Sequence, residues 1–122
     1  MAMYAVIGAG GFLGSYIVRK LAERTDEEIL ATTREAGDIV DGRASWMLCD
    51  VSDDDSLSRL TRRINDGRDV KIIYLPAFFN TGTSYDRRAA WNTNVVSYAR
   101  FIAMLDGFDV FYSISTDMVF SR

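Results

Sequence analysis

The chain has 122 residues, enough for one domain with a hydrophobic core but few for an enzyme with its own substrate domain. Hydrophobic residues make up 48% of it and charged residues 25%, as is ordinary for a soluble globular protein. The net charge of −3 and the pI of about 4.8 exclude strong electrostatic attraction to nucleic acid or to an anionic membrane.

The first half of the chain alternates between apolar runs and helical patterns. A short run over residues 3–7, MYAVI, predicts a buried parallel strand. After the glycines, Leu13, Ile17 and Leu21 recur every four residues and predict a helix that ends near Arg24. The runs EILATT (28–33) and WMLC (46–49) predict the second and third strands, with a loop between them.

A second helix is predicted after the third strand. Ser52 or Asp53 can cap it, the acidic first turn suits its positive end, and an apolar stripe follows. That stripe consists of Leu57, Leu60 and Ile64. The run VKIIYL (70–75) predicts the fourth strand, which Pro76 ends because proline cannot donate to a sheet.

The last third of the chain predicts a long helix over 86–105 and a fifth strand, DVFYSI, over 109–114. The residues expected to face inward from this helix are Ala89, Val95, Val96, Ile102 and Leu105. Repeated strand–helix alternation with apolar strands predicts an α/β domain, whose parallel sheet has helices on both faces and right-handed crossovers.

Several residue types are scarce or missing. Cys49 is the only cysteine and histidine is absent, so an internal disulfide, a cysteine-rich metal site and the commonest general base are all excluded. We expect no metal. The N-terminus has no basic region before its apolar run, and no apolar stretch is long enough to span a bilayer. These features predict a cytoplasmic location and no membrane partner.

Four glycines between residues 8 and 14 carry the strongest functional signal. Gly8, Gly11 and Gly14 have the spacing G-x-x-G-x-x-G at the junction of the first strand and the first helix. Gly8 permits a sharp turn, Gly11 lets the backbone approach a pyrophosphate, and Gly14 lets the helix pack on the sheet. The helix start, with Phe12 and Leu13, offers amide groups to phosphates. The alternative is a tight turn with no ligand, but the α/β context favours dinucleotide binding.

The end of the second strand should set the cofactor preference, about twenty residues after the glycines. Thr33 and Arg34 stand there, and both can bind a 2′-phosphate, which favours NADP. Glu35 follows, and a small backbone shift could make it an acceptor for ribose hydroxyls, so NAD stays possible.

These features resemble the N-terminal half of the extended short-chain dehydrogenases, which include nucleotide-sugar epimerases, dehydratases and reductases. The resemblance covers essentially the whole chain and is carried by VIGAGGFLGSYIV, CDVSD, IIYLPA, NTNVVSYARFI and SISTDMVF. The last run is most similar to the dTDP-4-dehydrorhamnose reductase branch. The resemblance implies a Rossmann-like, doubly wound, three-layer α/β/α fold with a five-stranded parallel sheet of order 3-2-1-4-5.

The resemblance also implies roles for individual residues. Asp50 and Val51 would contact the adenine, and Asn94 would support the active site. The segment that would line the cofactor beneath its ribose and nicotinamide half is Leu75, Pro76 and Ala77. Thr116 would be the catalytic hydroxyl that hydrogen-bonds the substrate oxygen. Each polar residue has a structural alternative: Asp50 as a cap, Asn94 as a plain helix residue, and Thr116 as a strand-end hydroxyl.

The family moves hydride with a Tyr-x-x-x-Lys pair that lies beyond the fifth strand. Tyr16 and Lys20 have this spacing, but they lie in the first helix, and we interpret the match as coincidence. We therefore expect 1–122 to be a dinucleotide-binding domain only, with the catalytic pair and the C-terminal substrate domain outside it.

Three interpretations remain open for the function. The favoured one is the cofactor domain of a longer nucleotide-sugar enzyme. The others are a naturally short NADP-binding sensor or interaction module, and a structural protein that kept the fold without the ligand. Because the open apolar edge of the fifth strand invites pairing, we also expect a homo-oligomer.

Overall fold

A computed structural model of the chain describes residues 2–38, 42–76, 88 and 91–113. Its centre is a five-stranded sheet of order β3-β2-β1-β4-β5 in which all neighbouring strands are parallel. The strands are β1 (Met3–Ile7), β2 (Glu28–Thr33), β3 (Ser45–Leu48), β4 (Val70–Tyr74) and β5 (Val110–Ser113). This topology confirms the predicted doubly wound sheet, with strand bounds that agree to within one residue wherever they can be compared.

Three α-helices cover the two faces of the sheet in the described part of the chain. They are α1 (Phe12–Arg24), α2 (Asp54–Asn65) and α3 (Ser97–Met104). A 3₁₀ turn, Ala36–Asp38, follows β2 where the sequence predicts mostly loop, and a π-helical turn, Asn92–Val96, leads directly into α3.

Two apolar clusters form the core, one on each face of the sheet. On the first face, Val18 of α1 packs with Val6, Ile29 and other strand residues. On the second face, α2 and α3 together cover the opposite side chains of the same strands. Leu57, Leu60 and Ile64 of α2 are all buried there, as the sequence predicts. The three-layer arrangement is thereby confirmed.

The start of α2 follows the expected capping chemistry. Asp53 is the N-cap, and its Oδ2 accepts a hydrogen bond from the Ser56 N–H (2.9 Å). Asp54 and Asp55 occupy the first turn, so carboxylates surround the positive end of this helix. The hydrogen bonds that Asp53 accepts keep the pKa of its carboxyl below the usual value.

The inward face predicted for the last helix is wrong at Val95 and Ile102 but right at Leu105, which packs partly buried against the core. Val95 and Ile102 are 41% and 38% exposed, whereas Ser97 and Phe101 are buried. The π-helical turn before α3 inserts an extra residue and so rotates the following face. Phe101 then packs against the ring of Tyr74, with the two centroids 5.3 Å apart. Ala89 lies outside the described residues.

The first helix also departs from its predicted stripe at one position. Leu13 is half exposed, whereas Gly14 and Val18 are the buried residues of α1. Ile17 and Leu21 pack partly buried against the cluster, as expected. None of the helices in the described ranges has the length and apolar character needed to cross a bilayer.

Candidate functional site

A cavity of about 360 Å³ lies at the carboxyl ends of the central strands. This is the crevice where open parallel sheets bind their ligands, next to the point where the strand order reverses. The predicted site residues that line it are Gly8, Gly11, Thr33, Arg34, Asp50, Val51, Leu75 and Pro76. Glu35, the alternative ribose acceptor, lines it too, and the lining residues that the sequence did not predict are Gly10, Thr32, Cys49 and Thr93.

The turn after β1 forms one wall of this cavity. Gly8 has a positive φ of 79°, and a Cβ on it would lie 3.1 Å from the ring of Pro76. Its N–H donates to Oγ1 of Thr32 (3.0 Å), and the N–H of Ala9 donates to the carbonyl oxygen of Thr32 (2.6 Å). The role predicted for Gly8, a sharp turn that other residues would strain, is confirmed.

The start of α1 faces the same turn. Gly11 is its N-cap in an extended conformation without a side-chain cap, and no acidic residue occupies the first turn. The first amide groups of a helix have no partners within it. A Cβ on Gly14 would lie 2.5 Å from Cα of Ala9, so only glycine allows this close approach, as predicted. The approach brings the positive end of α1 up to the cavity.

Phe12 and Leu13 contribute to this helix start through their backbone. Phe12 is 91% exposed, Leu13 is half exposed, and neither lines the cavity. A Cβ on Gly11 would meet nothing within 4 Å, which leaves space in front of its backbone.

The end of β2 supplies the charged part of the wall. Arg34 and Glu35 are both exposed and both line the cavity. Thr33 is buried, and its Oγ1 accepts from the Glu35 N–H (3.3 Å) and donates to the Glu35 carbonyl oxygen (3.4 Å). The hydroxyl that the sequence assigns to a 2′-phosphate is therefore also bonded to the peptide that carries Glu35.

The segment after β3 forms the opposite wall. Oδ1 of Asp50 accepts from the N–H (3.0 Å) and the hydroxyl (2.6 Å) of Ser52, so Asp50 stabilises a turn, but the cap of α2 is Asp53 and not Asp50. Asp50 lines the cavity as well, beside the buried Val51. Cys49 is buried at the same wall, and its thiol donates to the carbonyl oxygen of Ser56 (3.7 Å). Burial, and the nearby carboxylate of Asp50, raise the pKa of this thiol to about 11.

The remaining predicted residues are placed as follows. Asn94 lies in the π-helical turn and does not line the cavity, whereas its neighbour Thr93 does. Ala77 and Thr116 lie outside the described residues.

The two residues with the Tyr-x-x-x-Lys spacing, Tyr16 and Lys20, lie on the exposed side of α1. Lys20 ion-pairs with Glu23 (3.5 Å), and its Nζ is 5.5 Å from the centroid of the Tyr16 ring. Neither Tyr16 nor Lys20 lines the cavity. Over the described ranges, no three cysteine or acidic side chains come together in a way that could hold a metal ion.

Comparison with known proteins gives one family match. A sequence model of the NAD dependent epimerase/dehydratase family matches residues 4–122. No curated protein matches the chain at a significant level.

Solved structures share the fold. A short chain dehydrogenase family protein from Francisella tularensis is 16% identical with a TM-score of 0.81, and the match covers 100% of this chain and 54% of that one. UDP-glucuronic acid 4-epimerase from Bacillus cereus in complex with NAD is 20% identical with a TM-score of 0.74, and the match covers 98% of this chain and 42% of that one. L-threonine dehydrogenase from Clostridium difficile is 23% identical with a TM-score of 0.73, and the match covers 95% of this chain and 37% of that one. The chain thus spans about half or less of the length of these structures.

Cys49 makes the stability of the domain depend on pH. Its thiol ionises near 9.0 when unperturbed but near 11 in the folded protein, so the unfolded chain loses this proton first. The contribution of the Cys49 thiol to the free energy of unfolding should therefore be fully present below pH 9. The free energy of unfolding should fall by about 2–3 kcal/mol as the pH rises to 11.

Urea unfolding of the parent and of Cys49→Ala between pH 8 and 11 checks this. The difference between the two slopes reports the thiol together with its coupling to Tyr74, whose pKa the Cys49 thiolate raises further. If the free energy of unfolding depends on pH in the same way in both proteins, the thiol of Cys49 does not have a raised pKa in the folded protein.

Proposed function

The chain belongs to the NAD dependent epimerase/dehydratase family, and from this premise we propose that residues 1–122 form the dinucleotide-binding domain of a nucleotide-sugar epimerase, dehydratase or reductase. The observation that carries the proposal is the convergence of the Gly8 turn, the uncapped start of α1 and the end of β2 on one cavity. Among the solved structures that share the fold, a variant of the UDP-glucuronic acid 4-epimerase from Bacillus cereus is complexed with NAD and a fluorinated UDP-glucuronic acid.

The pyrophosphate would lie against the start of α1. The amide groups of Phe12, Leu13 and Gly14 are donors without helical partners, and the helix dipole adds a positive potential there. No acidic side chain in the first turn opposes an anion. The open space in front of Gly11 leaves the backbone accessible to the phosphate oxygens. NADP, when bound, supplies the hydride chemistry, and these residues bind and orient it.

The adenosine half would lie between the β2 and β3 ends. Val51 offers an apolar contact to the adenine, and Asp50 offers a carboxylate that the Ser52 turn already holds in place. Arg34 would pair with the 2′-phosphate, a charge-assisted contact, and this favours NADP over NAD. Glu35 lines the same cavity and opposes a phosphate by repulsion, so the preference depends on which of the two side chains faces the ribose.

We assign cofactor binding rather than turnover to these 122 residues. In the family chemistry, Thr116 would hydrogen-bond the substrate oxygen, and Leu75, Pro76 and Ala77 would lie beneath the nicotinamide. A proton donor is still required, and Tyr16 and Lys20 do not line the cavity. The nucleotide-sugar substrate would thus be bound and converted only with residues beyond these 122.

Gly11→Val tests the phosphate site. The extended conformation of Gly11 suits valine, so the domain should stay folded, with a loss of helix-cap stability of about 1 kcal/mol or less. The branched side chain would occupy the position of the pyrophosphate, and binding of NADPH and NADH should fall at least a hundredfold in calorimetry.

Gly107→Val is the matched control. A Cβ there also meets nothing within 4 Å, and Gly107 lies between α3 and β5, away from the cavity. We expect this variant to bind like the parent. If Gly11→Val binds NADPH as tightly as Gly107→Val, the phosphate site is elsewhere.

Arg34→Asp tests the cofactor preference. A lost charge-assisted hydrogen bond costs roughly 1.5–3 kcal/mol, so the affinity for NADPH should fall about tenfold to hundredfold. NADH has no 2′-phosphate and should bind nearly as before, which separates the two Kd values. Arg68→Asp makes the same charge change at an exposed position before β4, and it should leave both Kd values unchanged. If Arg34→Asp loses affinity for both cofactors equally, the result would indicate that Glu35 accepts from the ribose hydroxyls and that NAD is the preferred cofactor.

Self-association through β5 is a further part of the proposal. In the described part of the sheet, β5 pairs only with β4, and it therefore forms an edge. Tyr112 on this strand and Phe108 just before it are each about half exposed. An exposed apolar edge strand offers its free backbone groups to a second copy.

Light scattering of the 122-residue chain should give about twice its mass of 13.7 kDa. Tyr112→Lys places a charge on the edge strand and should restore the monomer, because charged side chains block edge pairing. Tyr16→Lys changes a tyrosine of similar exposure on α1 and should leave the dimer intact. A monomeric parent chain would rule out this interface.

A further inference from the structure

The hydroxyl of Thr32 connects β2 to the glycine turn, and no sequence motif points to it. We propose that Thr32 is a positioning residue of the cofactor site: by holding the Gly8 amide it fixes the turn in the shape that receives the pyrophosphate. This inference rests on the proposed function, because it concerns how the same cavity binds its dinucleotide.

Three hydrogen bonds hold the segment from Ile7 to Ala9 between its neighbouring strands. The Leu75 N–H donates to the Ile7 carbonyl oxygen (3.0 Å), and the Ala9 N–H donates to the Thr32 carbonyl oxygen (2.6 Å). The third runs from the Gly8 N–H to Oγ1 of Thr32 (3.0 Å). Of these three bonds, only the third uses a side chain, so only that one can be removed by a substitution that keeps the backbone.

The surroundings of Thr32 fix the position of this acceptor. The residue is 1% exposed, and its branched Cβ restricts the side chain to few rotamers. The Gly8 amide is partly buried at the cavity wall, and the Thr32 hydroxyl is the side-chain acceptor that it uses there, so removing the hydroxyl leaves this donor without that partner. Without the hydroxyl, the Gly8 peptide gains by turning toward another acceptor, and the shape of the cavity wall changes with it.

Such a change would affect every ligand that uses the glycine turn. The pyrophosphate is common to NADPH and NADH, so loss of the Thr32 hydroxyl should weaken both by the same factor. This separates Thr32 from Arg34, whose loss should change the ratio of the two Kd values. Both residues line the cavity, but Thr32 bonds the glycine turn, whereas Arg34 would face the 2′-phosphate in the proposed binding mode.

The experiment compares Thr32→Val, Thr32→Ser and a control, Thr61→Val, in the 122-residue chain. Valine keeps the shape of threonine without the acceptor, and serine keeps the acceptor. Thr61 is equally buried, and its hydroxyl donates to the Leu57 carbonyl oxygen (3.0 Å) inside α2, away from the cavity. Calorimetry gives the Kd for NADPH and for NADH, and thermal unfolding gives the Tm.

We expect Thr32→Val to raise both Kd values about tenfold, as for one lost hydrogen bond. Thr32→Ser should bind within about twofold of the parent. Thr61→Val should lower the Tm but leave both Kd values unchanged. If Thr32→Val is too unstable to assay, Thr32→Ala replaces it, with the same expected tenfold loss.

Two results would overturn the inference alone. One is a Thr32→Val or Thr32→Ala protein that binds both cofactors like the parent. The other is a loss in Thr61→Val as large as that in the Thr32 variants, which would make the effect one of general stability. A parent chain that binds neither dinucleotide would instead refute the proposed function, and the inference with it.

Discussion

The candidate site depends on how the chain leaves the central strand. β1 has neighbours on both sides, so its end must turn away from the sheet while hydrogen bonds from β2 and from the end of β4 still hold it. Gly8 meets this constraint with a positive φ, and a Cβ there would also lie only 3.1 Å from the Pro76 ring. The crevice opens at this point because the crossovers after β1 and β3 run in opposite directions along the sheet.

The two helices nearest the cavity differ in how their positive ends are satisfied. α2 surrounds its positive end with carboxylates of its own, from Asp53 to Asp55. α1 has neither a capping side chain nor an acidic residue in its first turn, and Gly14 brings it against Ala9. The amide groups of α1 thus have no partner from their own helix at the position where the cavity lies. One helix end is capped by its own side chains, whereas the other has no side-chain cap.

Local patterns predicted the sheet well and the last helix poorly. Buried parallel strands are short apolar runs bounded by polar residues or proline, so residues 3–7 and 28–33 could be located from the sequence alone. The segment from Val95 to Leu105 is apolar on several faces, so its periodicity does not identify the buried one. The buried face follows from the π-helical turn and from the aromatic contacts of Phe101, which involve residues distant in sequence.

The same distinction applies to the site. The glycine spacing is local and predicted the turn, whereas the Thr32 contact joins residues 24 positions apart and depends on the strand register. The roles of the charged residues at the end of β2 are harder still to predict from the sequence, because Arg34 and Glu35 are adjacent, exposed and opposite in charge. Thr33 holds the peptide of Glu35 by two hydrogen bonds, so the orientation of both side chains depends on one turn. Under the proposed function, the cofactor preference would therefore depend on this backbone turn as much as on the residues that it carries.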